Sequence, residues 1–312
     1  MFLQHLLHIL LDTLQFLLYN LCGEVDDMVK KTQKFDLRQQ MNRNKFEVFH
    51  YRDERPKPVK IHHHDFYEIY FFLGGDVSYL VDGKNYKLNR GDLLLISPQE
   101  LHRPIVKAGS VYERIVLWID RTYLASLSTP ECDLTLCFQS DKHNHTNVIH
   151  TNAMMRGRIA ELFELLCREA YSTDFAAEAY AQGLLLQLLA EVNRLVQQRD
   201  EPVFSSEAPS LVNRITSYIN THYGEDISLD TLSAHFFVSK YYLSHEFSQK
   251  IGISVVRYLT LKRLSIAKEL LSEGLSASEV CAHCGFHNYT TFYRTFREEY
   301  GISPGRAIER AK

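Results

Sequence analysis

The chain is poor in the features that assign a protein quickly. In 312 residues it has one tryptophan, eight prolines and six cysteines. The cysteines (Cys22, Cys132, Cys137, Cys167, Cys281 and Cys284) are too sparse for a disulfide framework in a chain of this length, which points to a reducing cytoplasm. Cys281 and Cys284 have the spacing of half a zinc knuckle with no second pair, so they read as small buried residues. A general basic excess is also missing. There are 35 Lys and Arg against 38 Asp and Glu, and a net charge of −3 does not advertise a polyanion partner. Neither a secretory leader nor a uniformly apolar span is present. "MFLQHLLHILLDTLQFLLYNL", residues 1–21, comes nearest. On a helix, however, Gln4, His8, Asp12, Gln15 and Tyr19 form a polar stripe with His5 beside it. Residues 1–44 therefore read as an amphipathic extension that docks on the protein, lies on a membrane surface, or lies outside the natural product. Met28 and Met41 are alternative starts.

What is present divides the chain. Its length favours two domains over one. From Lys45 the runs "FEVFHYRD", "FYEIYFFLGG", "VSYLVDGKNYKLNRGDLLLISP" and "YERIVLWID" are aromatic and β-branched. Turn signals separate them, and Asp82-Gly83 between two such runs is a hairpin signal. Strands at this spacing without helices between them predict a small antiparallel barrel over residues 45–150. Two helical patterns follow in residues 151–198, with apolar periods at Ile159, Leu162, Phe163, Leu166 and Ala170, then at Leu185, Leu188, Leu189, Val192, Leu195 and Val196. Leu185, Leu189, Val192 and Val196 have the spacing of a helix–helix seam, which fits either subunit pairing or packing on the barrel. Residues 199–208 are polar and read as a linker.

Within the barrel, alternate residues share a face, so His62, His64 and Glu68 point the same way, and His102 joins them from a later strand. Imidazoles with a carboxylate suit a metal ion, or a metal-free pocket for hydroxyl groups.

Residues 209–312 contain a repeat. Leu232 to Ala234 matches Val280 to Ala282, and Leu243, Phe247, Gly252, Ile253 and Ser254 match Phe292, Phe296, Gly301, Ile302 and Ser303. Each unit is a short helix, a tight turn and a second helix that begins with polar and aromatic residues, which is helix-turn-helix geometry. The period of Val256, Leu259, Leu264, Ala267, Leu270 and Leu271 predicts a long helix joining the units. Charge supports the division: there are twelve basic and ten acidic residues from position 209 on, against 23 and 28 before it.

Two tandem units ending in "YGISP" closely resemble the DNA-binding domain of AraC-type transcription regulators, over residues 211–311. "HDFYEI", "GDLLLISP" and "ELH" resemble the sensor barrels of the same family. The spacing of His62, His64, Glu68, Gly75 and His102 resembles the cupin pattern, with its second half compressed. By position, the resemblance implies that a first recognition helix begins near Ser239, with Lys240 near the backbone and Tyr241, Ser244 and His245 facing bases. A second begins near Asn288 and offers Tyr289, Thr290, Thr291 and Arg294.

The expectation is an α+β multidomain protein. An N-terminal cupin-like antiparallel β-barrel and a helical dimerisation segment precede an all-α tandem helix-turn-helix domain. The resemblance implies a cytoplasmic regulator without catalytic activity, working as a homodimer on double-stranded DNA with RNA polymerase. His62, His64, Glu68 and His102 would take a small polar effector, a sugar by resemblance, with no metal or cofactor. The alternative is a metal-dependent cupin enzyme fused to a DNA-binding domain. A purely structural interaction protein leaves the tandem repeat without a purpose.

Overall fold

A computed structural model of the chain describes residues 32–33, 35, 40–139, 146–198 and 210–311. The predicted N-terminal helix and the linker at 199–208 lie outside the described residues.

Among the described residues, eight strands form two sheets. They are β1 (Phe46–Asp53), β2 (Tyr67–Gly74), β3 (Val77–Val81), β4 (Lys84–Lys87), β5 (Leu93–Ile96), β6 (His102–Val106), β7 (Tyr112–Ile119) and β8 (Val148–Ile149). One sheet has the order β1-β7-β2-β5-β8 and the other β4-β3-β6, and every pairing is antiparallel. Among the described residues the two sheets face each other without closing, so the barrel of the sequence reading is an open two-sheet sandwich. Strand alternation explains its layers. On β2, Ile69 and Phe71 pack toward helices, while Glu68, Tyr70 and Phe72 point between the sheets. Both faces of the larger sheet are covered, and for this reason "LLLI" and "IVLWI" are apolar at every position.

The turn between β3 and β4 has two residues, Asp82 at φ 42° and Gly83 at φ 87°. Positive φ at both central positions is the hairpin turn that an Asp-Gly pair favours. Gly83 has a second reason to lack a side chain, since a Cβ there would run into Thr216.

A short helix, α1 (Arg121–Leu127), leads to the hairpin of α2 (Ala153–Glu169) and α3 (Ala177–Gln197). These two helices cover the outer face of the larger sheet, with Phe163 stacked on Phe71 at 5.4 Å. Leu185, Leu189 and Val192 are wholly buried in that core, and Val196 packs against it. This corrects the expectation of a subunit seam. A stripe already spent on its own sheet offers no surface to a partner.

The C-terminal domain is α4 (Leu211–His222), α5 (Leu229–Phe236), α6 (Lys240–Ile251), α7 (Val255–Ser272), α8 (Ala277–His283), α9 (Tyr289–Tyr300) and α10 (Pro304–Ala311). It has two small cores, one per helix-turn-helix unit. The front half of α7 (Val255, Tyr258, Leu259, Leu261) closes the first with Leu243 and Phe247. Its rear half (Leu264, Ala267, Leu271) closes the second with Val280, Cys281, Cys284, Phe292 and Phe296. Cys281 and Cys284 are thus core residues. Ser228, Ser239, Ser254, Ser276 and Asn288 each cap the start of a helix by accepting a backbone N–H.

Candidate functional site

A cavity of about 50 Å³ lies between the two sheets, enough for a few water molecules or the polar end of a small metabolite. His62, His64, Glu68 and Trp118 line it together with Phe35, Asp53, Tyr112 and Arg114. The fold brings His62, His64, Glu68 and His102 together as the sequence predicts. His62 and His102 face each other in a backbone bridge, with N–H to carbonyl distances of 3.1 and 2.9 Å. Their ring centroids are 4.3 Å apart, and His64 lies 4.8 Å from His102. Glu68 pairs across the sheet with Trp118, whose indole N–H donates to Glu68 Oε1 at 2.5 Å. Glu68 Oε2 lies 3.1 Å from His64 Nε2. Burial lowers the imidazole pKa of both His62 and His102, His102 well below its ordinary range, and neighbouring histidines add to the effect.

The Arg114 guanidinium lies 4.8, 4.9 and 4.1 Å from the ring centroids of Phe35, Tyr51 and Tyr112. It donates to Asp53 and to the carbonyl of Tyr112. Tyr112 Oη and Arg114 Nε are buried without a hydrogen-bond partner among the described residues. A polar ligand would relieve both, since an unpaired buried polar group costs about 1–3 kcal/mol.

The recognition helices present the opposite picture. On α9, Phe292 and Phe296 are fully buried, while Asn288, Tyr289, Thr290, Thr291 and Arg294 are exposed. On α6, Leu243 and Phe247 are buried, Tyr241 and His245 are exposed with their rings stacked at 6.1 Å, and Ser244 is half-buried beside them. Two of the predicted DNA contacts also have structural work. Ser239 Oγ accepts from Tyr242 N–H at 3.2 Å, and Asn288 Oδ1 accepts from Thr290 and Thr291 N–H at 2.7 and 3.3 Å. Lys240 pairs with Asp230. Arg294 is held only loosely, its Nε 3.9 Å from Glu298 Oε1, with most of both side chains in solvent. No described helix is long and apolar enough to cross a membrane.

The profile of the AraC-like ligand binding domain matches residues 46–189, and that of a helix-turn-helix domain matches residues 232–310. The chain belongs to the AraC-type transcription regulators. It is similar to the HTH-type transcriptional activator RhaR of Pectobacterium atrosepticum, 26% identical over 274 residues, which are 83% of this chain and 89% of that protein. It is likewise similar to the activator RhaS of Salmonella schwarzengrund, 26% identical over 256 residues, 78% of this chain and 85% of that one. Among solved structures, the C-terminal domain of AraT, a response regulator from Geobacillus stearothermophilus, matches 33% of this chain and 86% of that chain. Its identity is 30% and its TM-score 0.32.

In this AraC-type regulator the two domains share a contact that sequence reasoning missed. Asp82, at the tip of the β3–β4 hairpin, meets Asn220 Nδ2 at 2.9 Å, Tyr258 Oη at 3.2 Å and Lys262 Nζ at 3.3 Å. Lys268 pairs with Asp65 at 2.7 Å, and Tyr300 Oη lies 3.1 Å from His63 Nε2. Ile61, Leu80 and Leu101 of the sensor complete the first core of the DNA-binding domain. The one available signal was Lys262, a cation on a helix position that packing makes almost wholly buried.

Proposed function

We propose that this DNA-binding regulator is an activator whose cavity takes a small polar metabolite of the sugar class and passes its occupancy to the helix-turn-helix domain. One observation carries the reading. Residues 62–65 alternate between two surfaces: His62 and His64 line the cavity, while His63 and Asp65 hold Tyr300 and Lys268 of the DNA-binding domain. A ligand that shifts the backbone carrying the first pair shifts the second pair with it.

The unpartnered Tyr112 hydroxyl and Arg114 N–H suit the hydroxyl groups of a sugar. The related activators RhaR and RhaS support activation, in which the bound regulator engages RNA polymerase. We assign it to the cytoplasm, without catalytic activity of its own. The working form is a homodimer, with the exposed stripe Tyr180, Gln187 and Arg194 of α3 as the face left for a second copy.

Promoter fragments titrated with the full chain, with and without a panel of sugars, test this reading. One sugar should change DNA affinity at least several-fold. The paired change Asp65→Asn with Tyr300→Phe should abolish that response while the chain still binds DNA. A response that persists undiminished in the pair would refute the 62–65 route.

A further inference from the structure

Beside the cavity, the histidine cluster contains a conflict between hydrogen-bond acceptors. Nδ1 of His62, His64 and His102 lies 2.9, 2.9 and 2.8 Å from the carbonyl oxygens of Lys60, Phe66 and Glu100. A carbonyl only accepts, so each Nδ1 carries the ring proton and each Nε2 is left with its lone pair. Two of these lone pairs face a carboxylate. Glu68 Oε2 is 3.1 Å from His64 Nε2 and 3.5 Å from His102 Nε2. The other oxygen, Oε1, is already engaged by Trp118. His102 is fully buried, and its Nε2 has no hydrogen-bond partner among the described residues. Three acceptors with no donor between them repel, and a low-dielectric surrounding strengthens the repulsion. A cation removes it. A single proton, on the carboxyl or on a ring, could bridge only one of the two contacts, whereas a cation between the three atoms serves them all.

We propose that His64, Glu68 and His102 bind a divalent transition-metal ion, with His62 beside the open coordination position. The three ligand atoms already lie within 4.8 Å of one another. Bonds of about 2.1 Å in a tetrahedral site put ligands roughly 3.4 Å apart, so small side-chain rotations close it. Imidazole with one carboxylate is a donor set for borderline ions such as Zn²⁺, Fe²⁺ or Ni²⁺, rather than for Mg²⁺ or Ca²⁺. The outer contacts are those a metal site uses to aim its ligands: ring N–H groups fixed by carbonyls, and a carboxylate fixed by an indole. Without an ion, at least one of the two imidazole lone pairs faces the carboxyl oxygen with no hydrogen between them. The site depends on this geometry alone, whichever metabolite enters the cavity.

The test uses the full chain stripped with a chelator and titrated with Co²⁺, whose visible absorption reports inner ligands, and with Zn²⁺ during a thermal melt. One Co²⁺ should bind per chain, and Zn²⁺ should raise the melting temperature. Glu68→Gln and His102→Ala should each weaken Co²⁺ binding more than the roughly 10–100-fold expected of an outer contact, for which Trp118→Phe is the comparison. His63→Ala, adjacent in sequence but turned to the other domain, should bind like the parent. Should His102→Ala fail to fold, the near-isosteric Glu68→Gln decides. A folded parent that takes up no stoichiometric Co²⁺ overturns the proposal. So does uptake that survives in a folded His64→Ala/His102→Ala double variant, since the ion would then sit elsewhere.

Discussion

His64, Glu68 and His102 are at most 5% exposed in the sensor domain, whereas Tyr241 of the first recognition helix is 81% exposed. Both groups are polar side chains on regular elements, yet they stand in opposite environments. In the sensor, the pleat sends one set of residues to the helices and the other into the cavity, so functional and structural side chains alternate along a single strand. In the DNA-binding domain, each recognition helix gives one stripe to the core and the remainder to solvent. Changes around the cavity therefore disturb fold and function together. Changes on the outer stripe of α6 or α9 should act on binding alone.

The sharpest way to break that comparison lies in the sensor's covering helices. Leu189→Glu with Val192→Glu places two carboxylates in a core where both parent side chains have no exposure. The expected outcome is loss of the folded sensor, seen as a missing transition in the thermal melt, while the second helix-turn-helix core, to which the sensor contributes no residue, is retained. A folded monomer by sedimentation would instead restore the subunit seam. Next in size is Phe296→Ala. It removes a wholly buried ring from the second helix-turn-helix core and should cost about 3–5 kcal/mol of stability, measured by denaturant melts.

How well each region could be read follows from the range of its contacts. Phe292 and Phe296 are four residues apart, and a four-residue spacing puts them on one face whatever the rest of the chain does. Asp82-Gly83 identifies its own turn for the same local reason. The sensor residues His62, His64 and Glu68 were legible through strand period, and His102 through its place in the resembling motif. Trp118 and Arg114 were not, because their roles depend on cross-strand register. Lys262 and Asp82 are 180 residues apart, so no local pattern links them. The apolar stripe of α3 shows the limit in another form. Period says that a face is buried and does not say against what, and Leu185, Leu189 and Val192 turned out to face their own sheet.

The smallest effects come from the exposed stripes, where the comparison is finest. Among the described residues Arg294 is anchored only by a long contact to Glu298, so it is free to reach a base or a phosphate. Arg294→Ala should leave the melt unchanged and lower affinity for the specific site by about 1–3 kcal/mol if the guanidinium reads a base edge. Lys240 sits at the first turn of α6 and is tied to Asp230, which places its charge near the backbone end of that helix. Lys240→Ala should weaken specific and nonspecific DNA alike and reduce the salt slope by roughly one. Titrations of both variants at several salt concentrations, on specific and scrambled fragments, separate the two kinds of contact. If Arg294→Ala instead behaves as the lysine variant does, the arginine clamps a phosphate and specificity rests on Tyr289, Thr290 and Thr291. If it changes neither affinity nor slope, the outer stripe of α9 is a solvated face, and the second unit serves to support the first.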